Sequence, residues 1–394
     1  MIRRIEGMGA ILFLFLTFTP ASAQVRGVTK DRIIAGAWVA MSGALAYPAV
    51  SESTGHKTYY DFANDQGGVY GRKIEYIAYN DDYSPPKSVA VAKKLVEKDR
   101  VFYFAEPFGT PNTLAALPVA KEYNVPIINP SASPTLLKGN NLVFLCKLNY
   151  YDHMRLMVDY LVRDKKLKRI ALFGAKGEIG EITREGAVDR LKKYGLQLAA
   201  YDDASPDDLD VTAQFNKFRS LKADAVMISA NPKPASLMLQ EMKKQDWQPI
   251  TFLYGALSDQ VPKMAKEAAV GVFLLHWIPT VDGTMPGVQE HKKIMEKYAP
   301  KSEVNEYSLM GYVSARVAVE ILKRAGGDLT VEKFIKAAET LNDFDTGTGI
   351  KITFTPTDHS GSKWGAISIV KGPGDADWKT LKLEKATGWI EIKD

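Results

Sequence analysis

Four hydroxyl side chains stand where recognition of a small anion would need them. Ser42, Thr110, Ser131 and Ser133 each follow a short β-rich run and open a turn or helix. In an open α/β sheet, ligands bind outside the carboxyl ends of the strands. Thr110 precedes Pro111, which suits a helix with Thr at its cap and Pro at its first position. Such a helix start offers unpaired backbone N–H groups and a dipole that favours a carboxylate. The hydroxyls would add neutral donors, each contributing on the order of 1 kcal/mol and more toward a charged acceptor. Capping or turn chemistry accounts for any one of them taken alone. Tyr47, Phe108, Tyr150, Tyr151 and Tyr254 are candidate apolar walls, and core or hinge packing explains each of them equally well.

The elements that must position these residues alternate strand and helix. Strands are predicted at Ile33–Met41, Lys73–Tyr79, Val101–Ala105 and Val125–Asn129, with helices at Thr54–Asn64, Pro86–Glu97 and Pro111–Tyr123 between them. After Leu142–Lys147 a second series begins: helices Tyr151–Arg163, Ile182–Tyr194, Val211–Leu221 and Ala235–Lys244, and strands Arg169–Phe173, Leu196–Tyr201, Ala225–Ser229, Pro249–Leu253 and Val270–His276. Helices Val288–Tyr298 and Glu306–Ala325 follow, the latter closed by Gly326-Gly327. The tail is β-rich again at Ile350–Phe354, Gly365–Val370 and Trp389–Ile392. Repeated βα units imply parallel sheets covered by helices on both faces. No Pro- or Ser-rich tether interrupts them.

Composition narrows the function. The 394 residues are 46% apolar, 25% charged and 10% aromatic, which excludes a disordered or collagen-like chain. Its 51 basic and 46 acidic side chains are interspersed and sum to +5, so there is no nucleic-acid footprint. Cys146 is the single cysteine, so neither an internal disulfide nor a Cys-based zinc site can be built. Arg3 and Arg4, the apolar run Ala10–Phe18 and Ala21-Ser22-Ala23 have the layout of a secretory signal peptide over residues 1–23. That nine-residue run is about half of the roughly 20 residues that span a bilayer. No Cys follows the cleavage pattern, which argues against a lipid anchor and for a free periplasmic protein.

Several short motifs now fall into order. They are Ala40-Met41-Ser42-Gly43, Asn64-Asp65-Gln66-Gly67-Gly68-Val69-Tyr70-Gly71-Arg72, Asp81-Asp82-Tyr83-Ser84-Pro85-Pro86-Lys87, Gly109-Thr110-Pro111 and Pro130-Ser131-Ala132-Ser133-Pro134. Together they resemble the periplasmic branched-chain amino-acid-binding proteins, the type I solute-binding proteins of ABC importers. The resemblance implies an α/β fold of two Rossmann-like doubly wound lobes joined by three crossover segments, with the ligand closed between them. On that pattern the crossovers fall near Leu148–Tyr151, Leu275–Pro279 and Thr353–Asp358. Lobe I is then 24–148 plus 278–355, and lobe II is 149–277 plus 356–394. The resemblance places ligand-carboxylate contacts at Thr110, Ser131 and Ser133, with Gly109 and Ala132 in the same turns. Asn231 and Glu178 fall in second-lobe loops where family members contact the ligand, although a solvated loop charge is the commoner account of Glu178. It also implies a membrane permease as partner, no cofactor, and a monomer that diffuses between ligand and permease.

One departure matters. Amino-acid-binding members carry an acidic residue after the second-lobe Phe-x-x-Gly-like strand end, where it pairs the ligand's ammonium. The matching stretch here is Phe252-Leu253-Tyr254-Gly255-Ala256-Leu257, with Ala256 in that place. An enclosed ammonium without a counter-ion costs several kcal/mol. Asp259 or Glu178 could substitute, but the simplest expectation is a carboxylate lacking an α-ammonium, with an aromatic or apolar body. A branched-chain amino-acid binder and a ligand sensor of the same fold stay open as alternatives. An enzyme is disfavoured: there is no Gly-x-Ser-x-Gly, His-Glu-x-x-His, Walker loop or strand-following Gly-x-Gly-x-x-Gly. The five histidines, His56, His153, His276, His291 and His359, have no metal-ligand spacing.

Overall fold

The structure, a computed structural model, describes residues 25–43 and 45–393, so the signal-peptide reading of residues 1–23 lies outside the described residues. The first series is β1 (Arg32–Val39), α1 (Ala46–Asp65), β2 (Lys73–Asn80), α2 (Pro85–Glu97), β3 (Tyr103–Ala105), α3 (Thr110–Glu122), β4 (Ile127–Ile128) and β5 (Val143–Phe144). Its strands form one parallel sheet in the order β2-β1-β3-β4-β5. Trp38 and Phe104 meet edge to face at 5.1 Å and, with Leu95, Leu117, Ile127 and Val143, fill one side of it.

The second series is α4 (Tyr150–Asp159), β6 (Ile170–Ala175), α5 (Glu178–Lys193), β7 (Ala200–Ala204), α6 (Thr212–Ser220), β8 (Ala225–Ser229), α7 (Pro232–Lys244), β9 (Ile250–Leu253), α8 (Gln260–Ala265) and β10 (Phe273–His276). Strands β6 and β8 are buried at every residue, as expected of a parallel sheet covered on both faces. The chain then returns to the first body through α9 (Pro286–Tyr298), α10 (Glu306–Ala325), α11 (Val331–Ala338) and the small hairpin of β11 (Phe344–Asp345) and β12 (Lys351–Ile352). It crosses back a last time to add β13 (Trp364–Pro373), β14 (Leu381–Lys385) and β15 (Ile390–Glu391). Strand β13 runs antiparallel to β10, so the second sheet reads β14-β13-β10-β9-β8-β6-β7, with β15 on β13. The two doubly wound lobes and three crossings between sheets match the expected fold class.

Helix α10 is the buried strut of the first lobe. Asn305 caps it: its side chain accepts from Ser308 N–H at 2.8 Å, while Ser308 Oγ accepts from Asn305 N–H at 3.0 Å. Gly326, at φ 87°, ends it as the Gly326-Gly327 pair predicts. Helices α1 and α10 approach closely because Gly55 and Gly311 lack side chains. A Cβ on Gly55 would lie 1.9 Å from Ser308 O, and one on Gly311 2.0 Å from Glu52 O.

The boundaries correct the sequence reading in places. Helix α1 starts at Ala46 rather than Thr54, and α5 starts at Glu178 rather than Ile182. Gly109, at φ 99°, holds the cap position of α3, so Thr110 is its first helical residue and not its cap. Leu275 belongs to strand β10, and Tyr150 and Tyr151 already form the first turn of α4.

Candidate ligand-binding site

Loops from the carboxyl ends of both parallel sheets face each other across one cleft. The first sheet contributes Tyr83 after β2, Phe108, Gly109 and Thr110 after β3, Pro130 and Ser131 after β4, and Lys147 after β5. The second contributes Ile179 after β6, Ala230–Pro232 after β8, Tyr254, Ala256 and Leu257 after β9, and Trp277 after β10. Both groups lie at switch points, where strand order reverses between β1 and β3 and between β6 and β8. Leu45, Pro48 and Glu52 of the α1 region, Tyr150, Gln260 and Tyr307 complete the wall. The cleft encloses about 750 Å³ of space, part of it open to solvent.

Its chemistry divides into three zones. Thr110 Oγ1 and Ser131 Oγ are hydrogen-bonded at 2.8 Å, and both residues are buried at the start of α3. Gly109 is required there, because a Cβ on it would stand 2.7 Å from the Tyr83 ring and φ is left-handed. Across the cleft, Asn231 caps α7 by position without a side-chain cap bond, leaving its amide for other partners. The second zone is aromatic. Tyr150 stacks near Trp277 at 6.4 Å and tilts against Tyr254 at 5.7 Å, with buried His153 edge-on to both Tyr254 and Trp277. Burial pushes the His153 imidazole down to about 3, so it packs as a neutral ring.

The third zone is charged. Lys147 Nζ donates to Glu52 Oε1 at 3.0 Å and Oε2 at 2.9 Å, and lies 3.8 Å from Glu106 Oε1. Behind the pair, Glu106 accepts from Asn129 Nδ2 at 2.8 Å and faces His56 Nδ1 at 3.0 Å. Glu106 and Asn129 both take left-handed backbones, φ 52° each, a strain of about 1–3 kcal/mol per residue that their side-chain contacts sustain. Burial raises Glu52 to about 7 and Glu106 to about 8 despite the opposing pull of Lys147, and lowers His56 to about 3.

Of the residues singled out from sequence, Phe108, Gly109, Thr110, Ser131, Tyr150, Asn231, Tyr254 and Ala256 line this cleft. Six do not. Ser42 is exposed and donates to Asp82 Oδ1 at 2.6 Å, fixing the loop after β2. Tyr47 accepts from Asn305 Nδ2 at 3.2 Å and packs edge-on to Tyr307, behind the wall. Ala132 is fully buried and its carbonyl accepts from Tyr150 N–H at 2.8 Å. Tyr151 points to the outer side of the second lobe, donating to Asp189 Oδ2 at 2.8 Å. Ser133 Oγ donates to Glu178 Oε1 at 2.6 Å, so these two bridge the lobes. Glu178 is therefore a half-buried bridge rather than a solvated charge, and burial raises its carboxyl. Asp259 pairs with Lys263 at 2.7 Å and is not part of the wall. Cys146, fully buried, donates its N–H to Asn129 Oδ1 at 3.0 Å, in keeping with a structural thiol.

Among the described residues no group of three or more His, Cys, Asp or Glu side chains could hold a metal ion, and no helix is long and apolar enough to cross a membrane. The profile of the periplasmic binding protein family matches residues 33–373. The chain belongs to that family.

This periplasmic binding protein is 23% identical over 326 residues to the Leu/Ile/Val-binding protein homolog 7 of Brucella abortus, covering 78% of this chain and 79% of the relative. Its fold is that of the fatty acid ABC transporter substrate-binding protein from Thermomonospora curvata, at TM-score 0.80 and 23% identity over 94% of this chain and 95% of the other. It also matches an ABC-transporter solute-binding protein from R. palustris in complex with 4-hydroxybenzoate, at TM-score 0.79 and 16% identity over 92% and 97% of the two chains. The expected resemblance to the Leu/Ile/Val-binding proteins holds, and the family and its structural neighbours are substrate-binding proteins rather than enzymes.

Proposed function

We propose that this binding protein captures a small carboxylate with an aromatic or apolar body in the periplasm and presents it, as a monomer, to the permease of an ABC importer. The observation that carries this reading is the cleft wall. Six aromatic residues, Tyr83, Phe108, Tyr150, Tyr254, Trp277 and Tyr307, line the same cleft as the Thr110–Ser131 hydroxyl pair, and Ala256 stands where amino-acid binders of the family place an acid. The acidic side chain in the wall, Glu52, is already held by Lys147, so an ammonium entering the cleft would have to displace Lys147 to pair with it. The R. palustris neighbour in complex with 4-hydroxybenzoate supports an aromatic acid, and the T. curvata neighbour supports carboxylates with apolar bodies.

Closure follows the two-lobe architecture. We assign residues 24–148 with 278–355 to one lobe and 149–277 with 356–394 to the other; ligand bridging them stabilises the closed form by its differential affinity. A second reading, an amino-acid ligand, draws on the Leu/Ile/Val-binding relatives and on Glu52, which would have to leave Lys147 to meet an ammonium. A thermal-shift screen separates the readings: at a hundredfold excess over Kd, a true ligand raises apparent stability by about 2.7 kcal/mol. Benzoate, 4-hydroxybenzoate or 3-phenylpropanoate should produce the shift and leucine should not.

A further inference from the structure

The charged zone is built in a way that a passive wall does not need. Lys147 and Glu52 are both at least 95% buried, yet both border the cleft. An ion pair in such a place earns little stability over an apolar pair of the same shape. It also leaves a cation beside the aromatic rings, with Lys147 Nζ 5.6 Å from the Trp277 ring centre. Among the described residues two of the three ammonium N–H donors go to Glu52.

We propose that Lys147 is the anchor for the ligand's carboxylate and that Glu52 is its displaceable counter-ion, which takes up a proton from solvent as the carboxylate arrives. This rests on the reading that the cleft binds carboxylates, and it adds a residue and a linkage to that reading. The charge inventory calls for the proton. Burial already holds Glu106, behind the pair, toward its protonated form, so Lys147 is matched by Glu52 alone, and a ligand carboxylate on Lys147 would leave a buried charge of −1 unless Glu52 takes up a proton. The groups facing Glu52 offer no other cation. They are Lys147 after β5, Glu106 after β3, His56 on α1, Tyr76 on β2, Tyr150 on α4 and Tyr307 on α10. His56 stays neutral because burial lowers it to about 3, and the tyrosines are pushed above their ordinary range. Burial has already raised Glu52 to about 7, so a small added repulsion tips it to the protonated form near neutral pH. Neutral Glu52 keeps an O–H to donate and no longer competes for Lys147.

The sign follows. Below about pH 7 free Glu52 already carries the proton, and affinity is flat. Above it, binding must draw in a proton, and affinity falls by up to about tenfold per pH unit. Benzoate is the probe, titrated calorimetrically into the purified full chain at pH 6, 7 and 8 in phosphate and in Tris. The expected result is less than about a twofold change in affinity from pH 6 to 7, a fall of about fivefold from 7 to 8, and uptake approaching one proton per benzoate at pH 8. Lys147→Met should lose at least tenfold in affinity, whereas Glu52→Gln should bind benzoate with the pH slope and proton uptake gone. Binding with no proton uptake in the wild-type chain overturns the inference and leaves the carboxylate reading intact. So does Lys147→Met binding as tightly as wild type, or Glu52→Gln keeping the slope. No binding of benzoate, 4-hydroxybenzoate or 3-phenylpropanoate by the wild-type chain overturns both.

Discussion

Lys147 Nζ lies 2.9 and 3.0 Å from the two carboxylate oxygens of Glu52, although the residues are 95 positions apart and each is less than 5% exposed. The pair joins the loop after β5 to the middle of α1 at the border of the cleft. It sets the charge the ligand meets, and it is backed by Glu106, Asn129 and His56, which hold it in register.

The Thr110–Ser131 hydroxyl pair at the start of α3 should contribute directly to anion binding. Thr110→Ala removes one hydroxyl donor and is expected to weaken benzoate binding by about tenfold, the loss of one hydrogen bond to a charged acceptor. The melting temperature should move by only a few degrees, because the change is at a helix start and not in a core. Unchanged affinity by calorimetry removes Thr110 from the site.

Trp277 reports occupancy. Its ring borders the cleft beside Tyr150 and Lys147, so an aromatic ligand should change its emission. The ligand-dependent change in tryptophan fluorescence is expected to vanish in Trp277→Phe while the other five of the six tryptophans still emit. A full-sized change in that variant would place the ligand elsewhere.

Ser133 and Glu178 hold the lobes together at the cleft rim through a 2.6 Å hydrogen bond. Ser133→Ala should shift the chain toward the open form, seen as a larger radius of gyration by solution scattering without ligand. Affinity should fall severalfold, since closure now rests more on the ligand. Identical scattering of variant and wild type counts against a bridging role.

Helix contact α1–α10 carries the Glu52 side of the cleft. Gly311→Ala would drive a Cβ to 2.0 Å from Glu52 O, which must force the helices apart. Denaturant unfolding should show a loss of about 1–3 kcal/mol, with weaker ligand binding alongside it. A variant as stable as wild type would mean that the two helices separate at little cost.

Stability should peak in mildly acidic solution. Burial raises Glu52 to about 7, Glu106 to about 8 and Glu306 in the same direction, so the folded state holds protons that the unfolded state loses above about pH 4.3. Those glutamates cost stability as pH climbs from there through about 8. Burial lowers His56, His153 and His291 to about 3 and His276 to about 4, so below about pH 6.5 the unfolded state binds protons the folded state refuses. The two sets nearly cancel between about pH 4.3 and 6.5 and act alone outside it. Melting temperature against pH should show a broad maximum near 5–6.5, falling toward 8 and toward 3; a monotonic rise from pH 5 to 8 would contradict it.

Much of the scaffold was legible because its periodicity is local. Strand β8 and helix α10 have the predicted bounds, Ala225–Ser229 and Glu306–Ala325. Local ambiguity hides the rest: α8 is only six residues long, and β14 is a largely exposed edge strand whose Leu-Lys-Leu-Glu-Lys alternation carries no fully buried residue. The early turns of α1 hide behind Ala46-Tyr47-Pro48, and with them Glu52 was missed as a wall residue. Thr110, Ser131 and Tyr254 could be placed at the cleft because strand-end position is a topological property. Lys147 could not, since in Val143–Leu148 it reads as one polar residue closing an apolar strand, and its partner lies 95 residues earlier. Signals of that kind exist only once the fold of the first lobe brings α1 against the loop after β5.

The central claim is that the cleft takes a carboxylate without an ammonium. Calorimetric titration of the purified chain with 4-hydroxybenzoate and with leucine, side by side at pH 7, tests it most directly. The account predicts that 4-hydroxybenzoate binds at least about a hundredfold more tightly, reflecting the cost of enclosing an unpaired ammonium. Tight leucine binding with no measurable heat from 4-hydroxybenzoate would contradict it.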